Sequence, residues 1–494
     1  MQSSASDPVE IPPVMLAELS RVLGSGLILN KAELQTYECD GLTNFRAVPG
    51  AVVLPRTSAE VQAVVRLCHQ HKIPFVARGA GTGLSGGALP LEGCVVIGLA
   101  RMNRILAVDF DNERVVAEPG VTNAQVTERV RSQGYFFAPD PSSQTVCTLG
   151  GNIAENAGGA HCLKYGFTTT HVVGCEVVLS DGTLTWLGSE HGVAETPGYD
   201  LLGVFVGSEG TLGVVTKVVL RIVRRPETVQ TLLAAFDAIG AAAQTVSDVI
   251  ASGTLASAME IMDRTAIIAS EAAVHAGYPE CEALLLVELD GPTSEVLAQM
   301  KTVRELAERN GATEQRLAQS DAERAVVWKG RKAAFAAMGR VSPNYIVQDG
   351  VIPRTALPRV LAQFEELSRE TGLRIANVFH AGDGNLHPMV LYDGSIAGEE
   401  ARALEVSYQL LRLCVDAGGS ITGEHGVGRE KQCEMSYMYA LPDLAVMQRV
   451  RRAFDPQNLA NPDKLFPTPR LCGEQHNGPY REHPLVTAGV AEIF

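Results

Sequence analysis

Apolar and polar positions alternate in ways that change along the chain. Near the N-terminus, VMLAELSRVLG has helical spacing and leads into a polar stretch. AVVLP (51–55) is a short apolar run of buried-strand type. TSAEVQAVVRLCHQHK (57–72) repeats Val61, Val64, Val65 and Cys68 at helical spacing, with Ser58 as the expected N-cap. IPFVARG (73–79) returns to strand, so the chain opens on a strand–helix–strand unit of a mixed α/β domain. The strand patterns CVVIGLARM and RVVAEPG (114–120) follow, then a helix over NAQVTERVRSQG. A long Gly-rich segment, 139–159, predicts loop with one short helix. HVVGCEVVLSDGTLTWL (171–187) predicts a hairpin turning at Asp181-Gly182, and 206–226 a loop running into a strand that Pro226 closes.

From about 227 the texture changes. AAFDAIGAAAQTVSDVIASG and PTSEVLAQMKTVRELAERNG read as helices, and CEALLLVELDG between them as a strand. RIANVFH (374–380) and HPMVLY (387–392) read as strands joined by AGDGNL, whose Gly382, Asp383, Gly384 and Asn385 favour a turn. Residues 399–418 and 441–454 are helical in pattern. The expected divisions are a helical lead-in (1–50), a first domain (51–226), an α+β second domain (227–425), a C-terminal helical segment (426–470) and a tail (471–494).

Composition narrows the function. The 494 residues are 46% hydrophobic and 20% charged, with a net charge of -15. That balance disfavours a nucleic-acid surface or a polybasic membrane patch. No apolar run approaches the roughly 18 residues of a membrane span. MQSSASDPVEIPP has no basic region followed by an apolar core, so no signal peptide is expected. The ten cysteines include no C-x-x-C pair, which disfavours an iron–sulfur cluster or a Cys-type zinc site and predicts reduced thiols in a cytoplasmic protein.

Gly81-Thr-Gly83-Leu-Ser-Gly86 matches G-x-G-x-x-G after a strand. A nicotinamide-dinucleotide loop also needs a helix directly afterwards. Only ALPLEG (88–93) separates the last glycine from the next strand, and Pro90 sits in that gap, so no crossover helix fits. Bare N–H groups along such a loop still suit anionic oxygens. A flexible surface loop is the plainer alternative. Against it stand two more Gly-rich segments, one with Gly150, Gly151, Asn152, Asn156, Gly158 and Gly159, the other GSEGTLG (207–213). Three such segments in one domain suit an extended, phosphate-containing cofactor.

His380 and His387 close the two ends of HAGDGNLH, so a hairpin brings them together. They are either polar hairpin-end residues or half of a metal site. ITGEHGVGREK (421–431) offers Glu424 beside His425 in a Gly-rich turn. Two histidines and one carboxylate with open positions suit Zn²⁺, Mn²⁺ or Fe²⁺ and an oxygen-bearing substrate, leaving His425 as a base.

The PRTSAEV start, ARGAGTGLSGG, GGNIAENAGG and GSEGTLGVVTKV together resemble the FAD-binding domain of the vanillyl-alcohol oxidase (para-cresol methylhydroxylase) superfamily. The resemblance implies a two-subdomain FAD-binding domain, an α+β substrate (cap) domain and a C-terminal helical return packing on the FAD domain. It implies FAD contacts at Arg78, Gly79, Ala80, Gly81, Thr82, Gly83, Leu84, Ser85, Gly86 and Gly87 in the first loop. Further contacts are implied at Ser142, Gly150, Gly151, Asn152, Asn156 and Gly159, and at Glu209, Gly210, Gly213 and Val214. Some relatives tether the flavin through a histidine of the first loop. Residues 77–87 contain neither His nor Cys, so non-covalent FAD is expected.

The later segments are similar to the C-terminal domain of FAD-linked 2-hydroxy-acid dehydrogenases, which act on D-lactate, D-2-hydroxyglutarate or glycolate. By that resemblance His380, His387 and Glu424 bind the metal, His425 is the general base, and Arg331 of Trp328-Lys-Gly-Arg331 takes the substrate carboxylate. An arginine fork pairs both carboxylate oxygens; a solvated helix face is the plainer reading of Arg331. Val347-Gln348-Asp349 stands where the hydroxyglutarate branch has a lysine, which favours a small substrate. The expected activity is oxidation of glycolate, or of a small D-2-hydroxy acid such as D-lactate, to the 2-oxo acid. The resemblance also implies a second flavin subunit and an iron–sulfur subunit as partners, and through them a peripheral place at the inner membrane. The competing expectations are a stand-alone D-lactate dehydrogenase with a cytochrome or dye acceptor, and a non-enzymatic flavin-binding scaffold.

Overall fold

The computed structural model describes residues 10–191, 197–468 and Cys472. Most of the expected tail, and residues 1–9 of the lead-in, lie outside the described residues. The chain divides into two compact units. The first comprises Met1–Gly158, Phe167–Arg224 and Glu424–Phe494; the second comprises Gly159–Gly166 and Arg225–Gly423.

Two sheets build the first unit. A four-stranded sheet has the order Leu27–Ile28, Ala51–Val53, Val95–Gly98, Phe75–Arg78, the last three parallel. Helix Ser58–His71 makes the crossover and buries Val61, Val64, Val65 and Cys68, the residues its periodicity points to. Its N-cap is Thr57 rather than Ser58. Thr57 is extended and its Oγ1 accepts from the Glu60 N–H at 3.2 Å, while the Ser58 hydroxyl donates to Glu176 at 2.6 Å. The second sheet is antiparallel, in the order Ile105–Asp109, Arg114–Ala117, Val214–Arg221, Val172–Val178, Leu184–Gly188. Its edge strand Ile105–Asp109 is an apolar run, ILAVD, that the expectations passed over, and it is largely exposed. The hairpin at Asp181-Gly182 forms as expected, with Gly182 at φ +83°.

The second unit is a nine-stranded antiparallel sheet with helices on both faces. Its central strands Thr228–Phe236, Ala283–Gly291, Ala258–Asp263 and Ile375–His380 are mostly buried on both sides, which explains continuous runs such as ALLLV rather than strict alternation. Helices Ile239–Ala251, Thr293–Arg309, Leu357–Thr371 and Glu399–Asp416 cover one apolar layer; Arg264–Val274 and Asp321–Ala337 cover the other. One expectation fails here. The helix expected from Ala234 begins only at Ile239, because Ala234, Ala235 and Phe236 complete a strand paired on both edges. Alanine's helix propensity yields to that pairing.

Residues 159–166 do not stay with the flanking flavin segments, as a contiguous 51–226 domain would require. Within the second unit, Lys164 and Tyr165 bind Asp290, and His161 binds Glu288 at 3.0 Å. The expectation of reduced cysteines throughout is also corrected. Cys433 and Cys472 form a disulfide, with Cα atoms 5.3 Å apart, and the other eight cysteines are free. Among the described residues, no helix is long and apolar enough to cross a membrane.

Candidate active site

In the first unit, strand Phe75–Arg78 delivers the first glycine loop. Arg78 is buried and donates to the Cys39 carbonyl at 2.8 Å, so its guanidinium lies under the loop as a brace. Gly81 (φ +70°) has no room for a side chain, which would run into that guanidinium. Around Gly83 there is open space. A side chain at Gly79 would strike Thr148 Oγ1, so the start of helix Leu149–Glu155 abuts the loop. That hydroxyl is buried with no hydrogen-bond partner among the described residues. A bare-backbone loop beside an unsatisfied buried hydroxyl fits a group carrying anionic oxygens.

The remaining expected cofactor residues separate by local role. Gly150 backs onto Pro119, and Asn152 is buried in helix Leu149–Glu155. Asn156 ends that helix at φ +52° and its Oδ1 accepts from the Thr169 N–H at 2.8 Å. Ser142 sits exposed in the 142–146 turn, and Gly159 belongs to the second unit. Gly210 and Gly213 have positive φ, and Gly213 leads into Val214 at the start of a buried strand.

Glu209 has a structural task that its motif does not announce. Its two carboxylate oxygens accept from the Val427 and Gly428 N–H groups, each at 2.7 Å. It anchors the returning C-terminal segment. Burial pushes its carboxyl up to about 7 despite those bonds. Burial, and then the nearby Glu209, push Glu155 well above its ordinary range as well. Both carboxylates face Gly426, where a side chain would meet each of them. Ser85 completes the clasp. Its hydroxyl donates to the His425 carbonyl at 2.7 Å, and its own carbonyl accepts from the Arg429 and Glu430 N–H groups at 2.9 and 3.1 Å. His425 is thereby tied to the glycine loop, and the Glu424 carboxylate lies against Gly158.

In the second unit, the HAGDGNLH hairpin forms. Ile375–His380 pairs with Pro388–Tyr392, and His380 stands opposite Asn385. Gly384 (φ +77°) approaches the Ile352 carbonyl too closely for any side chain. The two imidazoles meet edge to face, with centroids 5.1 Å apart, and each offers a ring nitrogen within 4.8 Å of the other's. Helix Asp321–Ala337 is capped by the Ser320 hydroxyl and buries Val327, Trp328, Arg331 and Ala334 on one face. Arg331 is therefore no solvated residue: it is 2% exposed.

Two residues of this cluster carried no sequence signal. Glu260, on strand Ala258–Asp263, accepts from Arg331 Nε at 2.8 Å through Oε2, and its Oε1 lies 2.6 Å from His380 Nδ1. Burial would raise its pKa, but Arg331 and His380 beside it outweigh burial and hold it below the usual range. Asp349, fully buried, has Oδ1 3.5 Å from His387 Nε2, and its Oδ2 accepts from the Thr422 hydroxyl and the Gly423 N–H at 2.6 and 3.0 Å. Lone carboxylates in strands or loops have no spacing that marks them. Only pairing across the sheet brings them to the histidines.

The first unit thus offers glycine loops suited to an anionic cofactor, and the second offers paired imidazoles among buried carboxylates. Residues 49–188 match the FAD binding domain, and 225–465 match the C-terminal domain of FAD linked oxidases. The chain is 46% identical over 467 residues to the glycolate oxidase subunit GlcD of Escherichia coli (strain K12), a match covering 94% of this chain and 93% of that one. It is 30% identical to a D-lactate dehydrogenase of Anaerostipes hadrus, over 92% of this chain and 98% of that one. The solved structure of p-cresol methylhydroxylase with substrate bound superposes with a TM-score of 0.76 at 18% identity, covering 92% and 96% of the two chains, and so shares the fold. The chain belongs to the FAD-linked oxidases that include the glycolate oxidase subunit GlcD, and is an FAD-dependent hydroxy-acid oxidoreductase.

Proposed function

We propose that this enzyme oxidises glycolate, or a D-2-hydroxy acid of similar size, to the 2-oxo acid, with Zn²⁺, Mn²⁺ or Fe²⁺ held by His380, His387 and Glu424. The setting of His380 carries the proposal. Glu260 engages its Nδ1, which directs metal ligation to Nε2, and the His387 ring stands beside it with centroids 5.1 Å apart. Glu424 directly follows Gly423, whose N–H Asp349 holds.

Bound FAD accepts the two electrons of the oxidation, and a bound ion makes the substrate hydroxyl more acidic. Arg331 binds the substrate carboxylate, and its burial strengthens that charge pairing. His425 takes the proton from the hydroxyl oxygen, a task suited to a group titrating near neutrality. The first loop's glycines, with Asn152 and the residues after Gly210, hold FAD without a covalent tether. Val347-Gln348-Asp349 supplies no cation for a second carboxylate and so favours a small substrate. Electrons leave through a second flavin subunit and an iron–sulfur subunit, which place this cytoplasmic chain at the inner membrane. The word "subunit" in the name of its 46%-identical relative supports that arrangement.

The D-lactate dehydrogenase relative supports a second reading, a stand-alone D-lactate enzyme with a cytochrome or dye acceptor. Anaerobic flavin bleaching by glycolate and by D-lactate separates the two. Glycolate is expected to reduce the flavin faster, and faster reduction by D-lactate selects the second reading. Stripping metal with a chelator is expected to slow bleaching by at least tenfold. Unchanged bleaching after complete removal would exclude the metal.

A further inference from the structure

We infer that Glu260 is a shared positioning residue, one carboxylate that sets both the substrate-binding arginine and a metal-ligating histidine. The inference rests on the proposed roles of Arg331 and His380. Glu260 and His380 are directly opposed partners in the pairing of Ala258–Asp263 with Ile375–His380. Directly opposed residues project to the same face of a sheet. Helix Asp321–Ala337 brings Arg331 to the same carboxylate.

The two oxygens divide the work. Oε1 faces His380 Nδ1 at 2.6 Å, and Oε2 takes Arg331 Nε at 2.8 Å with Nη2 2.6 Å away. Since an ionised carboxylate can only accept, His380 carries a proton on Nδ1, which directs any metal ligation to Nε2. Donation to a carboxylate also makes the imidazole a stronger ligand. On the arginine, Glu260 engages Nε and Nη2 and so fixes the plane of the guanidinium. All three groups are at least nine-tenths buried, so none gains its orientation from water. A carboxylate serving only as counter-charge to Arg331 would need no contact with His380.

The test measures Zn²⁺ affinity of the FAD-loaded, substrate-free enzyme by chelator competition, alongside flavin absorbance and melting temperature. Glu260→Gln keeps the shape but loses the charge and the fixed tautomer, and is expected to bind Zn²⁺ about 10–100-fold more weakly with the flavin spectrum retained. His387→Ala, which removes a proposed ligand, is expected to lose still more. If His387→Ala abolishes binding and Glu260→Gln stays within twofold of the parent, the positioning role is wrong and the metal site stands. If the parent enzyme does not bind Zn²⁺, the metal reading fails and takes this inference with it. Should Glu260→Gln not retain FAD, Glu260→Asp, which keeps the charge and shortens the reach, decides by the same criterion.

Discussion

At the scale of single residues, Glu209 shows how a motif position can carry a structural task that the motif does not announce. GSEGTLG marks it as part of the flavin domain, yet its carboxylate grips the Val427 and Gly428 N–H groups. Its folded pKa of about 7 lies above the ordinary carboxyl value of about 4.5, with burial the main cause. The folded chain therefore keeps a proton that the unfolded chain releases. Its contribution to stability is full below about pH 4.5 and is lost as pH rises through about 7. Glu209→Gln should flatten the decline in urea-unfolding stability between pH 5 and pH 7.5, and an unaltered slope would show that another group governs it. His425 is a separate case: its backbone is fixed by Ser85, so changing its side chain leaves the clasp intact. His425→Gln should lower turnover about 10²–10⁴-fold with FAD content unchanged. Full turnover in that variant would remove it as the base.

Among elements, the HAGDGNLH hairpin was the most legible part of the site. Two apolar strand patterns flank residues that demand a turn, so the meeting of His380 and His387 follows from local chemistry. Gly384→Ala should cost about 1–3 kcal/mol from backbone strain alone, with further loss from the collision at Ile352. A thermal melt should show the loss, and metal retention should fall with it; a variant as stable as the parent would mean the turn can relax. Glu260 and Asp349 were illegible for the opposite reason. They reach the histidines by pairing between segments far apart in sequence, and nothing in EIMD or VQDG distinguishes a site carboxylate from a surface one. Strand Thr228–Phe236 was obscured by its alanines, and segment 159–166 by its glycine-rich flanks, which resemble those of the flavin loops around it.

For the molecule as a whole, the disulfide is the element composition could not foresee. Scattered cysteines without close spacing read as thiols, yet the fold brings Cys433 and Cys472 together across 39 residues of chain. Closing a loop of that length contributes about 2–4 kcal/mol. Cys433→Ser, or treatment with reductant, should lower stability by that order, with both perturbations giving the same melting curve. A reductant with no effect on the parent would mean the bond is absent in solution.

The clasp at Ser85 also has a consequence for how the protein is made. Its partners, residues 425–430, are synthesised after the whole of Arg225–Gly423. The glycine loop leaves the ribosome early and waits without its Ser85 partners while the second unit is completed. Chains fold progressively from the N-terminus as they emerge, and here that order finishes the hydroxy-acid unit before the flavin unit. Chains cut short before residue 425 therefore lack the segment that holds Ser85.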